Sequence, residues 1–133
     1  MAEANRLVIR YLDGKMLKGK SSNFMPDKFT FHLTDLNDKV HEINVNQCKA
    51  VFFVRTFDGN PDYEEEKRFP DEVPSGYKKI RVEFQDGERI VGKSLTYKEG
   101  RPWFFLEPAD PNSNNERIYI PMTSVRDLRV ALY

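Results

Sequence analysis

The chain repeats itself, and that limits its fold more than any other feature. Residues 7–21, LVIRYLDGKMLKGKS, align with residues 80–94, IRVEFQDGERIVGKS, at a constant offset of 73. Leu7, Ile9 and Tyr11 meet Ile80, Val82 and Phe84. Asp13-Gly14 meets Asp86-Gly87, and Gly19-Lys20-Ser21 meets Gly92-Lys93-Ser94. The same offset carries Phe31 and Leu33 onto Phe104 and Leu106. A two-residue insertion in the second copy then sets Ile43 and Val45 against Ile118 and Ile120, and Ala50 and Phe53 against Val125 and Leu128. Self-similarity at a fixed period is read before single elements, because it sets the architecture. It predicts two tandem copies of one small unit, residues 1–57 and 77–133, joined by a connector over 58–76.

Each copy reads as β structure. Leu7, Ile9 and Tyr11 alternate with Val8 and Arg10, the period of two of a half-buried strand. Asp-Gly follows at once in both copies and predicts a two-residue hairpin turn. A second strand runs through Met16–Ser22 or Arg89–Leu95, where Gly19 and Gly92 suggest a sharp bend or bulge. Third strands follow at Phe29–Thr34 and Trp103–Glu107, fourth at Val40–Val45 and Arg117–Ile120, and fifth at Ala50–Arg55 and Val125–Leu132. The gap before each fifth strand fits a single 3₁₀ turn. No window sustains a helical period.

The expected class is therefore all-β with little helix: two tandem SH3/Sm-like small barrels related by internal duplication. The order resembles that of the Sm-like proteins, with a strand, Asp-Gly, a bent strand containing Gly, an F-x-L strand and a short turn before the last strand. The RNA-contacting loops of that family are absent, and Pro26-Asp27-Lys28 stands where the first would fall. A closer resemblance rests on the runs KAVFFVRTFDGNPDY (residues 49–63) and WFFLEPADPNSNNERI (residues 103–118). These are similar to an uncharacterised bacterial family of duplicated small β-barrels, found alone or within signalling proteins. That resemblance implies a bacterial origin and a regulatory setting, and no catalytic residues.

Charge narrows the function classes. With 21 basic and 21 acidic residues the formal charge is zero, so no global field marks a nucleic-acid or membrane protein. The distribution is uneven: residues 1–57 carry nine Lys/Arg against six Asp/Glu, residues 58–76 two against seven, and residues 77–133 ten against eight. The acidic connector reads as an exposed linker, or as an ordered strap pinned by Phe57, Tyr63, Phe69 and Tyr77. Cys48 is the single cysteine and is expected as a small buried hydrophobe. The amino terminus has no apolar h-region and no run reaches spanning length, so a cytoplasmic protein without membrane contact is expected.

Chemistry is sparse. His32 is expected as an exposed strand residue, and His41 begins the fourth strand. Two histidines, one cysteine and scattered carboxylates do not make a zinc pattern, and the isolated glycines make no phosphate loop. No catalytic residue, cofactor or metal is therefore expected, and the chain reads as a non-enzymatic binding or adaptor module for a protein partner. Phe104 belongs to the core by the repeat match, so its neighbours Trp103 and Phe105 project the other way. They are then aromatic anchors for a partner, or are covered by the other copy or the connector. Asn112, Asn114 and Asn115, in a polar loop, are further candidate contacts. The alternative is nucleic-acid or nucleotide binding through Arg10, Lys15, Lys18 and Lys20 of the first hairpin. Oligomeric state is not legible.

Overall fold

The computed structural model describes residues 4–59, 73–110 and 112–130. It is all-β, with strands β1 (Asn5–Arg10), β2 (Met16–Ser21), β3 (Thr30–Asp35), β4 (Val40–Asn44), β5 (Ala50–Val54), β6 (Lys78–Phe84), β7 (Arg89–Ser94), β8 (Trp103–Pro108), β9 (Asn115–Pro121) and β10 (Val125–Val130). The two 3₁₀ turns, Val45–Gln47 and Met122–Ser124, fall before the fifth strand of each half, as expected. Among the described residues no helix is long and apolar enough to cross a membrane. Most of the connector, with Tyr63 and Phe69, lies outside the described residues. Phe57 packs against the second-half core, and Tyr77 carries the Lys93 ammonium 5.3 Å from its ring centroid.

All ten strands join one antiparallel sheet, ordered β10-β6-β7-β8-β9-β5-β1-β2-β3-β4. Among the described residues the sheet is not closed. Its edges are β4 and β10, and the halves meet where β5 pairs with β9. Within each half the order is the same: fifth, first, second, third, fourth.

Pairing corrects the expected alignment after the third strand. Phe31 faces Ile43 and Phe104 faces Ile120, so the third strands match at 73 residues but the fourth at 77. The fifth strands also match at 77, since Leu7 faces Phe53 while its counterpart Ile80 faces Val130. Equivalent pairings in the two halves are thus offset by four further residues rather than two, the step falling between Pro108 and Arg117. An even slip keeps every side chain on its own face, so alternation alone could not distinguish 75 from 77.

Two local expectations also change. The Asp-Gly hairpins form, but only the glycines take positive φ, Gly14 at 92° and Gly87 at 92°. A two-residue type I′ turn would need positive φ at the aspartate as well. Instead Gly14 N donates to Tyr11 O and Tyr11 N to Lys15 O, a turn closed by a glycine bulge, and the second half repeats it. Gly19 and Gly92 mark no break in pairing. They admit the neighbouring strand: a Cβ there would lie 2.2 Å from Thr34 O or 2.1 Å from Glu107 O.

The halves share their cores through the joint strands. Leu7, Ile9, Phe31, Leu33, Ile43 and Val45 pack in one cluster, which Val51 and Phe53 of β5 and Tyr119 of β9 complete. Ile80, Val82, Phe84, Phe104 and Leu106 pack in the other, completed by Ala50, Phe52 and Val54 of β5 with Ile118 and Ile120 of β9. Both faces of β5 are therefore core, and all five of its residues are buried. A continuous apolar run is the sequence such a strand requires.

An ionic cluster crosses the same joint. Lys49 is 3% exposed, and its Nζ donates to Asp86 Oδ2 at 2.7 Å and to Glu88 Oε1. Arg10 adds a 3.7 Å contact to Glu88, and Ser124 Oγ donates to Lys49 O at 2.7 Å. The Lys49 ion pair holds the Asp86 carboxyl below the usual carboxylate range.

Candidate functional site

The seam between the halves holds the aromatic candidates. Alternation along β8 sends Phe104 into the second core and turns Trp103 and Phe105 toward the first half. Phe105 sits 6.0 Å from the Phe53 ring and 5.5 Å from Tyr119, edge to face, while Trp103 stacks on Tyr119 at 5.8 Å. Arg117 lies over Phe53 at 4.2 Å and Phe105 at 4.7 Å, and Arg101 over Trp103 at 5.1 Å. Of the two arrangements open from sequence, the structure gives an intermediate: both rings are half-buried against the other half.

Beside them the seam opens into a groove of about 350 Å³. Pro26, Asp27, Phe29, Val45 and Asn46 line it from the first half, and Arg101, Pro102, Trp103 and Tyr119 from the second. Phe29 is 65% exposed at its rim, and Met25 beside it in sequence is 52% exposed. Tyr119 Oη donates to Pro26 O at 3.1 Å, and burial, with Asp27 and Cys48 adding to it, pushes this phenol up to about 12. The groove thus offers apolar rings, prolines and one charge of each sign, a lining suited to a peptide. Phe29 escaped sequence reasoning because its spacing from Phe31 and Leu33 placed it with the core. The turn at Met25–Lys28 feeds the chain in before β3 begins, and Phe29 is left on the rim.

The asparagine loop is mostly fastened. Asn114 Oδ1 accepts from Thr56 N and Thr56 Oγ1 at 3.1 Å each, Asn114 Nδ2 donates to Thr56 O at 2.9 Å, and Arg55 N donates to Asn114 O at 2.8 Å. Asn115 pairs with Val54 in the joint, and Asn112 is exposed. The basic hairpin is dispersed. Arg10 is tied to Glu88, Lys15 lies 3.7 Å from Asp13, and Lys18 Nζ donates to Phe57 O at 2.9 Å. Lys20 is exposed and lines a polar hollow of about 480 Å³ with Ser21, Asn23, His32 and Asp35.

His32 is exposed, and its Nδ1 lies 3.0 Å from Asn23 Nδ2. His41 Nε2 lies 2.7 Å from Asp35 Oδ2, and that hydrogen bond, with others from Lys39 N and Asn37 N, lowers the Asp35 carboxyl. Cys48 is 2% exposed, and burial pushes its thiol up to about 12, which suits a small core hydrophobe and not a nucleophile. Lys49, buried at the joint, was not distinguishable from a surface lysine by spacing. Among the described residues no cluster of His, Cys, Asp or Glu is placed to hold a metal ion.

No curated protein and no solved structure matches the chain. Residues 3–131 match a family of unknown function, DUF6982, and to that family the chain belongs.

Proposed function

We propose that the chain is a non-enzymatic adaptor built from two copies of an SH3/Sm-like unit, recognising a protein partner in a bacterial, cytoplasmic regulatory setting. The copies account for the shared strand order, the matched glycine contacts and the 73-then-77 register. The observation that carries the binding reading is Phe29, 65% exposed at the rim of a groove walled by Trp103, Tyr119 and two prolines. A large aromatic left in water beside an apolar cleft is the anatomy of a recognition surface. The nucleic-acid alternative has less support, since Arg10 and Lys18 contact Glu88 and Phe57 O within the fold, leaving Lys15 and Lys20 as the exposed cations of that hairpin.

Affinity capture from bacterial lysate, with and without nuclease, tests this reading. A protein that survives nuclease and is lost with Phe29→Ser is the expected result. Phe29 is exposed, so the variant should fold normally. Nucleic acid that co-elutes and vanishes with nuclease, with no protein retained, would overturn it.

A further inference from the structure

We propose that the free edge of β4 takes up an extended segment of a partner protein as an added antiparallel strand, with a basic residue facing Glu42 and an apolar one facing Val40. This rests on the protein-binding reading and adds where the partner's main chain docks.

The main-chain groups are already aimed. Asp35 N donates to Lys39 O at 2.8 Å and Val45 N to Phe29 O at 2.9 Å, bracketing the β3–β4 ladder. Alternate pairs in an antiparallel ladder exchange hydrogen bonds. Phe31/Ile43 and Leu33/His41 are therefore the bonded pairs between the brackets. Val40 and Glu42 turn their N–H and C=O groups away from β3, toward an edge with no strand beside it among the described residues, while Asn44 O already accepts from Cys48 Sγ at 3.3 Å. Sheet edges of this kind recruit extended peptides through the main chain.

The second half shows what such an edge accepts. Arg117 and Tyr119, the counterparts of Val40 and Glu42, face Phe53 and Val51 of β5. The joint is thus a strand addition of this kind, made within the chain. Side chains then set the occupant. Glu42 is exposed and asks for a cation opposite, and Val40, 60% exposed near Leu36 at 60%, asks for an apolar residue. The Asn44 end runs through Val45 and Asn46 into the groove wall, so one segment can reach both sites. The other edge is better defended. β10 carries Arg126, Asp127 and Arg129 and a pairing irregularity, devices that discourage strand addition. The β10 strand of a second copy fits β4 poorly, since the joint register would set Leu128, not a cation, against Glu42.

The probe is a fluorescein-labelled peptide of residues 49–55 carrying Val51→Lys, which places lysine against Glu42 in the joint register. Titration of the full chain by anisotropy should give saturable binding, with amide protection appearing at Val40 and Glu42. Glu42→Pro removes an outward N–H without touching the β3 ladder, the one setting where a strand tolerates proline. It should keep the melting temperature and weaken the peptide about tenfold, the scale of one lost hydrogen bond. If Glu42→Pro unfolds, Glu42→Lys replaces it, setting like charges opposite and weakening binding similarly. Absence of saturable binding, or equal binding by the folded variant, overturns strand addition. Self-association of the unsubstituted chain that Glu42→Pro abolishes overturns a partner as occupant. The two sites fail separately: loss of captured protein with Phe29→Ser but not Glu42→Pro leaves the groove and removes the strand, and the reverse result leaves the strand and removes the groove.

Discussion

The inner and outer strands of this sheet occupy equivalent places in the two halves yet carry opposite sequences. β5 is Ala-Val-Phe-Phe-Val and wholly buried, while β10, its counterpart 77 residues on, is Val-Arg-Asp-Leu-Arg-Val with no buried residue. β9 buries Ile118, Tyr119 and Ile120, where β4 has His41, Glu42 and Ile43, only the last of them buried. The backbone role is the same, and the difference lies in how many faces meet a core. β5 and β9 lie between two hydrophobic clusters, so neither face can be polar. β4 and β10 end the sheet and keep one wet face. Burying Arg129 and Asp127 as Phe52 and Ala50 are buried would leave charges without water, a cost far above that of leaving the edge open. The charges of β10 thus close that end of the sheet to a further strand.

The sharpest test of this contrast is a matched pair of truncations. Phe52→Ala removes a ring that is 6% exposed, in the second-half core and under the Arg10 guanidinium, and should cost about 3–5 kcal/mol. Arg129→Ala, at the equivalent position, loses an exposed contact to Asp127 and should change stability by less than about 0.5 kcal/mol. Urea unfolding of both variants measures the gap. Equal effects would mean that the joint is no more a core than the edge.

Next in size is the ionic cluster across the joint. Lys49 is enclosed, whereas Asp86 and Glu88 keep about a third of their side-chain surface, 30% and 34%. Removing both carboxylates with Asp86→Asn and Glu88→Gln strands a buried ammonium and should cost about 3 kcal/mol. Lys49→Met lets the carboxylates rehydrate and should cost less. The pH dependence has a definite sign. The folded Asp86 carboxyl lies below its unfolded value, so its contribution is present at neutral pH. It is lost as pH falls below the ordinary carboxylate range and through the folded value. The double variant should flatten that acid limb of the stability curve, and a limb of unchanged steepness would assign it to other carboxylates.

Much of this contrast could be read from residues before any coordinates. Alternation in Leu7–Tyr11 and Ile80–Phe84 placed the first strand of each half, and Asp13-Gly14 and Asp86-Gly87 placed the first turns. The apolar run of β5 was read only as a fifth strand, and its burial on both faces came from the structure. The joint itself was not legible, because strand pairing between halves is a tertiary choice that no local period records. The four-residue step in offset between the halves hid behind a period of two. Among the candidates, Trp103 and Phe105 were singled out by their consecutive placement, and besides each other they are half-covered by Tyr119 and Phe53, which lie outside β8. Phe29 and Lys49 were missed for opposite reasons, one patterned as core and exposed, the other patterned as surface and buried.

A change in stability as small as that of Arg129→Ala is expected from the variant that best breaks the comparison. Asp127→Ala with Arg129→Phe rewrites β10 with the residues that β5 carries at Ala50 and Phe52. The two charges form an ion pair with each other, Arg129 Nε to Asp127 Oδ2 at 3.1 Å, so removing both leaves neither stranded. Both sites are exposed, and the monomer's stability should move by less than about 0.5 kcal/mol. Its mass in solution should change instead. An apolar edge facing the open β4 of another copy is a head-to-tail contact, which propagates until it closes or precipitates. Light scattering should therefore show concentration-dependent growth that Glu42→Pro in the same chain suppresses. A mass equal to that of the unsubstituted chain would move the barrier from the charges to the irregularity at Arg126, where pairing steps from Val125 to Asp127 and bends the edge away from a flat partner.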